Sequence, residues 1–316
     1  IRASLFGEAR VVACTLTGAA NRVLEGEKFS TLFIDEAAQA LEAACWIAIR
    51  RAGRVIFAGD HCQLPPTVKS IMALKGGLGT TLMERIVKAK PDVVTLLKVQ
   101  YRMNEQIMRF SSDWFYGGEV QTAPGIEHRS ILDYDRPMMW VDTSEADGKE
   151  EFVGENFGRI NRTEAELTLQ TLQQYFEKVG KQRILDEHID VGIISPYRAQ
   201  VQLLGKMIRQ SEFFRPYRRA ISVNTVDGFQ GQERDIIIIS LVRNNDGGEI
   251  GFLRDLRRMN VAMTRARLHM LMVGNLEVLR QDETFSRLID FAKHSGAYYD
   301  IPVDKYCAGD FPVNTG

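Results

Sequence analysis

Two carboxylates stand side by side in "TLFIDEAAQALEAACW" (31–46): Asp35 and Glu36 close a run of strand-forming residues and open a helix-like segment. A third acid, Asp60, closes "RVIFAGD" (54–60) in the same way. In open α/β sheets ligands sit outside the carboxyl ends of the strands. If these two strands are neighbours, their acids face one crevice. Asp35 can then hold Mg²⁺ while Glu36 orients and deprotonates a water. The alternative is that both acids only cap the following helix, where the dipole favours negative charge. Gln63 follows in "AGDHCQLPPTV" (58–68), a loop stiffened by Pro65 and Pro66. A neutral amide there can accept from a water and donate to a phosphate oxygen, though an ordinary polar turn explains Gln63 taken alone.

The elements that must position these groups follow from pattern. Strands are expected at 10–15, 31–36, 54–60, 93–99, 138–143, 191–196, 221–226, 235–242 and 269–275. Helices are expected at 41–51, 81–89, 104–112, 163–179, 198–210, 255–265 and 284–294. Continuous Val/Ile-rich runs separated by helices predict parallel sheets covered on both faces, an α/β fold. The pattern divides near Gln100–Tyr101, giving domains over 1–100 and 101–316, with 117–135 irregular and 144–160 a surface loop.

Composition excludes several classes. The 316 residues are 45% hydrophobic and 26% charged, within the globular range, and no apolar run is long enough to cross a bilayer. No membrane partner is expected. The four cysteines lack C-x-x-C spacing, so reduced thiols in a cytoplasmic protein are expected in place of a metal site or disulfides. Net charge is −1, but 196–220 concentrates six basic residues against Glu212 alone. That patch fits backbone contact with a polyanion, and fits a solvated helix face nearly as well.

"IDEAAQA", "GDHCQLPP", "VQYRM", "SPYRAQ", "TVDGFQGQERDIIIISLVR" and "RRMNVAMTRAR" together resemble the ordered motifs of superfamily 1 helicases, closest to the branch of the nonsense-mediated-decay helicase and senataxin. The resemblance runs from about residue 8 to residue 276. It implies two RecA-like domains, ATP and Mg²⁺ as cofactors, and translocation on single-stranded DNA or RNA, 5′ to 3′ in that branch. Asp35 would bind Mg²⁺, Glu36 would activate the attacking water, and Gln63 would link the γ-phosphate to domain movement. Tyr101 would pack near the adenine, and Arg102 would reach the γ-phosphate, a role that suits a fork-shaped permanent cation. Gln230 would lie beside the nucleotide and Glu233 would accept from the ribose. Arg265 would be the arginine finger; Arg267, expected to point elsewhere on a helix, would serve structure. Thr15, Pro196, Tyr197, Arg198 and Thr225 would touch the sugar-phosphate backbone, although Thr15 and Thr225 also suit strands and Tyr197 suits a core.

One part of the family pattern is missing. The phosphate loop G-x-x-x-x-G-K-[ST] does not occur; "GGLGTTLMER" (76–85) lacks the Lys and follows the acidic motif, and Thr81 there reads better as a helix cap. The expectation is therefore the carboxyl-terminal portion of a helicase core, its first domain incomplete and prone to self-associate through open strand edges, with little ATPase activity of its own. A noncatalytic nucleic-acid-binding or scaffolding module derived from such a core is the alternative. A ring-forming P-loop ATPase would leave "QYRM" and "QGQERD" unexplained.

Overall fold

A computed structural model describes residues 6–133, 136–146, 148–154, 158–294 and 298–299. The chain divides into two compact units, Ile1–Leu96 and Leu97–Gly316.

In the first unit β1 (Phe29–Ile34) pairs in parallel with β2 (Ala52–Phe57), joined by α1 (Glu42–Ile49). This is the βαβ unit that places the ends of both strands side by side. Ile34, Ala37 and Cys45 form the small core beneath it. Helix α2 (Leu82–Ala89) starts with a capping box: Thr81 accepts from the Glu84 N–H at 3.1 Å and its own N–H donates to the Glu84 carboxylate at 3.0 Å. The strand expected at 10–15 is absent: these residues are largely exposed and find no ladder partner among the described residues. The one expected at 93–99 is reduced to its end, where Val99 pairs with Gln121 and the Lys98 carbonyl accepts the Gln121 N–H, while 94–98 are exposed and outside any strand. A run of β-formers becomes a strand only where a neighbour takes its hydrogen bonds.

The second unit carries a six-stranded parallel sheet in the order β12-β5-β11-β10-β8-β9, formed by β5 (Met138–Asp142), β8 (Val191–Ser195), β9 (Ile221–Thr225), β10 (Arg234–Ser240), β11 (Ala266–Gly274) and β12 (Tyr298–Tyr299). Alternation along the strands sorts the core. Ile236, Ile238, Ile193 and Val191 join one large cluster with Leu172 and Phe176 of α4 (Arg162–Val179) and Leu204 of α6 (Arg198–Gln210). Ile237 and Ile239, equally buried, face the opposite side. There α3 (Glu105–Phe115) and α7 (Leu256–Met263) pack on β11, and α9 (Glu283–His294) packs on β5. The expected doubly covered parallel sheet is what forms.

Local rules explain the boundaries. Asn161 caps α4 by accepting the Glu164 N–H at 2.9 Å, and Gly180, at φ 87°, ends it. A short parallel pair, β3 (Val99–Gln100) with β4 (Gln121–Thr122), lies in the expected irregular region. The segment 144–160, read as a surface loop, includes an antiparallel ribbon of β6 (Glu151–Val153) and β7 (Gly158–Ile160). Helix α7 is shorter than expected, so Arg265 lies in a turn and Arg267 on β11. The premise that both sit on one helix is corrected.

Candidate nucleotide and nucleic-acid sites

In the first unit the carboxylates emerge from a strained turn. Asp35 follows the last residue of β1, and Glu36 adopts φ 51°, ψ 39°, a left-handed conformation uncommon for a residue with a Cβ. The Asp35 carboxylate accepts the Glu36 N–H at 3.0 Å, and Gln39 Nε2 donates to Glu36 Oε2 at 2.6 Å. Both acids are exposed. The turn is tied to the end of β2 by Ala58 N–H to Ile34 C=O and Ala37 N–H to Ala58 C=O, each 2.9 Å. Gly59 completes the tie: a Cβ there would stand 3.0 Å from Ala37 N and 3.1 Å from Ala38 N. Gly59→Ala is expected to destabilise the first unit by about 1–3 kcal/mol. Urea melts read this, and a loss below about 0.5 kcal/mol would contradict the tight approach.

Asp60 organises the next loop, accepting the Cys62 N–H at 2.9 Å and Gln63 Nε2 at 2.8 Å. Gln63 therefore has its amide donor directed at Asp60. The donor set of Asp35, exposed carboxylate oxygen at a strand end, fits a hard cation such as Mg²⁺.

In the second unit the structure gathers residues far apart in sequence. Gln100, Tyr101, Arg102, Met103, Arg129, Glu233 and Arg267 line an open cavity of about 500 Å³. Gln100 shapes the turn: its Nε2 donates to the Met103 carbonyl at 2.8 Å and to Thr122 Oγ1 at 2.6 Å, while its Oε1 accepts the N–H groups of Arg102 and Met103. Tyr101 is thereby left 74% exposed at the cavity. Arg102 Nε meets Glu233 Oε2 at 2.5 Å across 131 residues of sequence, and its Nη1 donates to the Thr264 carbonyl at 3.0 Å. Arg267 pairs with Asp235 at 3.0 Å, Asp190 at 3.2 Å and Glu233 at 3.6 Å. Burial pushes the Asp235 carboxyl up, against backbone donation from Asp190 and the Arg267 charge.

Two expected site residues lie elsewhere. Arg265 is 3% exposed and does not line the cavity; its guanidinium donates to the carbonyls of Val261 at 3.0 Å and Gln232 at 3.2 Å. Of Arg265 and Arg267, the one that lines the cavity is Arg267, which was expected to be structural. Tyr197 is 6% exposed, its hydroxyl accepting from Arg243 Nη1 at 3.4 Å, so it supports a surface and does not form one. Gln230 is half-buried in the turn after Phe229, and its Nε2 has no hydrogen-bond partner among the described residues. Sequence reasoning passed over Arg129, which carries no motif, and Arg267, for which the presumed helix gave the wrong direction.

The two groups of candidates occupy opposite ends of one sheet. Glu233 and Arg267 stand at the amino ends of β10 and β11, with Arg102 bonded to Glu233. Pro196 to Arg198 and Thr225 follow or close β8 and β9 at their carboxyl ends. The connection Val226–Glu233 crosses from one end to the other. Thr15, in the first unit, is exposed in a loop, where its Oγ1 accepts the Gly18 N–H at 3.0 Å.

Comparison with known proteins identifies the family. Residues 78–277 match a family model described as an AAA domain, and residues 1–71 match a second model of the same description. The chain is 38% identical over 297 residues to a regulator of nonsense transcripts 1 homolog of Drosophila melanogaster, covering 92% of this chain and 24% of that protein. It is 36% identical over 307 residues to the DNA polymerase alpha-associated DNA helicase A of Saccharomyces cerevisiae, covering 88% and 44%. An uncharacterised ATP-dependent helicase of Methanocaldococcus jannaschii is 34% identical over 304 residues, covering 92% and 42%. The chain thus spans less than half the length of these relatives. With motif order, parallel-sheet fold and family match in agreement, the chain belongs to the AAA-domain family of superfamily 1 helicases.

Proposed function

We propose that this chain is the carboxyl-terminal portion of an ATP-dependent helicase that moves on single-stranded nucleic acid, a reading supported by relatives named as ATP-dependent and DNA helicases. The observation that carries the reading is the meeting of Tyr101, Arg102, Glu233 and Arg267 at one cavity. An aromatic face, two guanidinium groups and a carboxylate match the demands of a base, a polyphosphate and a ribose.

Each unit carries part of the chemistry. In the first, Asp35 would hold Mg²⁺, which neutralises phosphate charge when bound; Glu36 takes the proton of the attacking water and Gln63 orients it. In the second, Tyr101 packs on adenine and Glu233 accepts from the ribose. Arg102 is then released from Glu233 toward the phosphates, where its fork stabilises charge in the transition state. Arg265, enclosed among backbone carbonyls, reaches a nucleotide only if its turn moves; Arg267 already faces the cavity. Movement of Val226–Glu233 would carry the state of the nucleotide to the carboxyl-end surface, where Thr225, Pro196 and Arg198 meet the strand. The two-stranded sheet of the first unit leaves Phe33 70% exposed, a surface through which copies could associate in a cytoplasmic setting.

The test is ATP hydrolysis by the full-length protein with and without single-stranded DNA or RNA. Stimulation by either strand is expected, and its size names the substrate. Absence of hydrolysis under all conditions would turn the reading toward a binding or scaffolding module.

A further inference from the structure

The loop from β10 to α7 presents one aromatic ring to solvent between two buried anchors. Ile250 and Leu253 are each 2% exposed, anchoring the turn Gly251–Arg254 on both sides, whereas Phe252 between them is 64% exposed. Its ring lies 5.8 Å from that of buried Tyr197, tilted by 54°. Beneath, Arg243 is 2% exposed, donates to the Glu249 carbonyl at 2.7 Å and pairs with Glu150 at 3.1 Å. Gly251 lets the turn close on this base: at φ 55°, a Cβ there would stand 2.9 Å from Arg243 Nη1 and 3.0 Å from Tyr197 Oη. An apolar residue exposed singly needs no explanation by itself. A ring fixed from below with its outer face free is a preorganised platform.

A second observation names the ligand class. Arg198 begins α6 directly after Tyr197 and is exposed, and among the described residues no ion pair or side-chain hydrogen bond engages its guanidinium. Both residues follow the carboxyl ends of β8 and β10, which are neighbours in the sheet. A free aromatic face and an unpaired cation, the cation next in sequence to the Tyr197 on which the ring packs, are the two groups that hold a base and its phosphate without reading sequence.

We propose that Phe252 is a stacking platform for an unpaired nucleobase of a single strand whose phosphate contacts Arg198. This rests on the nucleic-acid reading above and extends it to a residue outside the motifs that carry the family resemblance. A hydrophobic protein partner could also cover Phe252, but it would give no preference between a base and an abasic site.

The experiment is fluorescence anisotropy of this chain at low salt with two labelled probes, an oligothymidylate of about 12 nucleotides and an abasic strand of equal length. The thymidylate is expected to bind about tenfold more tightly, and Phe252→Ala to remove that preference while leaving abasic affinity unchanged. Phe252→Trp retains the preference, and a thermal melt checks that both variants fold. If the wild type binds both probes equally, or Phe252→Ala weakens both alike, the stacking inference is overturned while the nucleic-acid reading stands. If neither probe binds the wild type, both fall.

Discussion

Glu36→Gln in the full-length protein is expected to lower ATP turnover about a thousandfold, with little change in ATP affinity. The substitution keeps the shape of the side chain and removes its basicity. The turn that aims it survives, because the left-handed backbone at Glu36 is held by Asp35, by the Ala37–Ala58 hydrogen bond and by the close approach of Gly59, none of which involves the Glu36 carboxylate. Only the bond from Gln39 Nε2 touches it, and the Oε1 of a glutamine can still accept that donor. A loss confined to turnover assigns Glu36 the proton-accepting role. Hydrolysis within about tenfold of wild type would remove it from that role and leave the acidic pair as turn residues, since neither caps the following helix.

The second large effect concerns Glu164, a residue no motif singled out for chemistry. Its carboxylate is 1% exposed and accepts the Ser240 hydroxyl at 2.5 Å and the Val242 N–H at 2.8 and 2.9 Å. It thereby holds Val242 at φ 71°, a strained conformation for a β-branched residue, at the carboxyl end of β10. Glu164→Ala strands these donors in a buried site and is expected to cost about 3–5 kcal/mol in urea unfolding of the second unit. A loss below about 1 kcal/mol would show that water or a neighbour replaces the carboxylate.

Burial pushes Glu164 up to about 7 from the ordinary 4.5, against the donation from Ser240, Val242 and Leu241. The native state therefore retains a proton that the unfolded chain has released. The associated stability is full below about pH 4.5 and is lost as pH rises through about 7, an effect of about 3 kcal/mol. Glu164→Gln cannot titrate, so it is expected to gain on the wild type between pH 5 and pH 8. A pH-independent difference between the two proteins would contradict the raised value.

Much of this was legible in sequence because it depends on short-range pattern. The Val/Ile runs of β8 and β10 and the amphipathic spacing of α4 and α6 set the second sheet and its covering helices. Asp35 and Glu36 were found because a strand followed by two acids is a local signal. Residues 10–15, and 93–99 except for its paired end at Val99, misled for the complementary reason: their β-forming composition is local, whereas the ladder partner that makes a strand is not. Arg267 was read as structural because it was placed on a helix, whereas it lies on β11, and a shift from helix to strand changes which side chains share a face.

By itself, then, the sequence determined the fold class, the motif order and the family, all of which follow from residue types at fixed spacing. Only the tertiary structure decided that Arg102 meets Glu233, that Arg267 and not Arg265 faces the cavity, and that Phe252 stands clear of a buried frame. Those outcomes depend on which strand ends lie side by side and on which side chains exclude one another there, and no spacing along the chain records either.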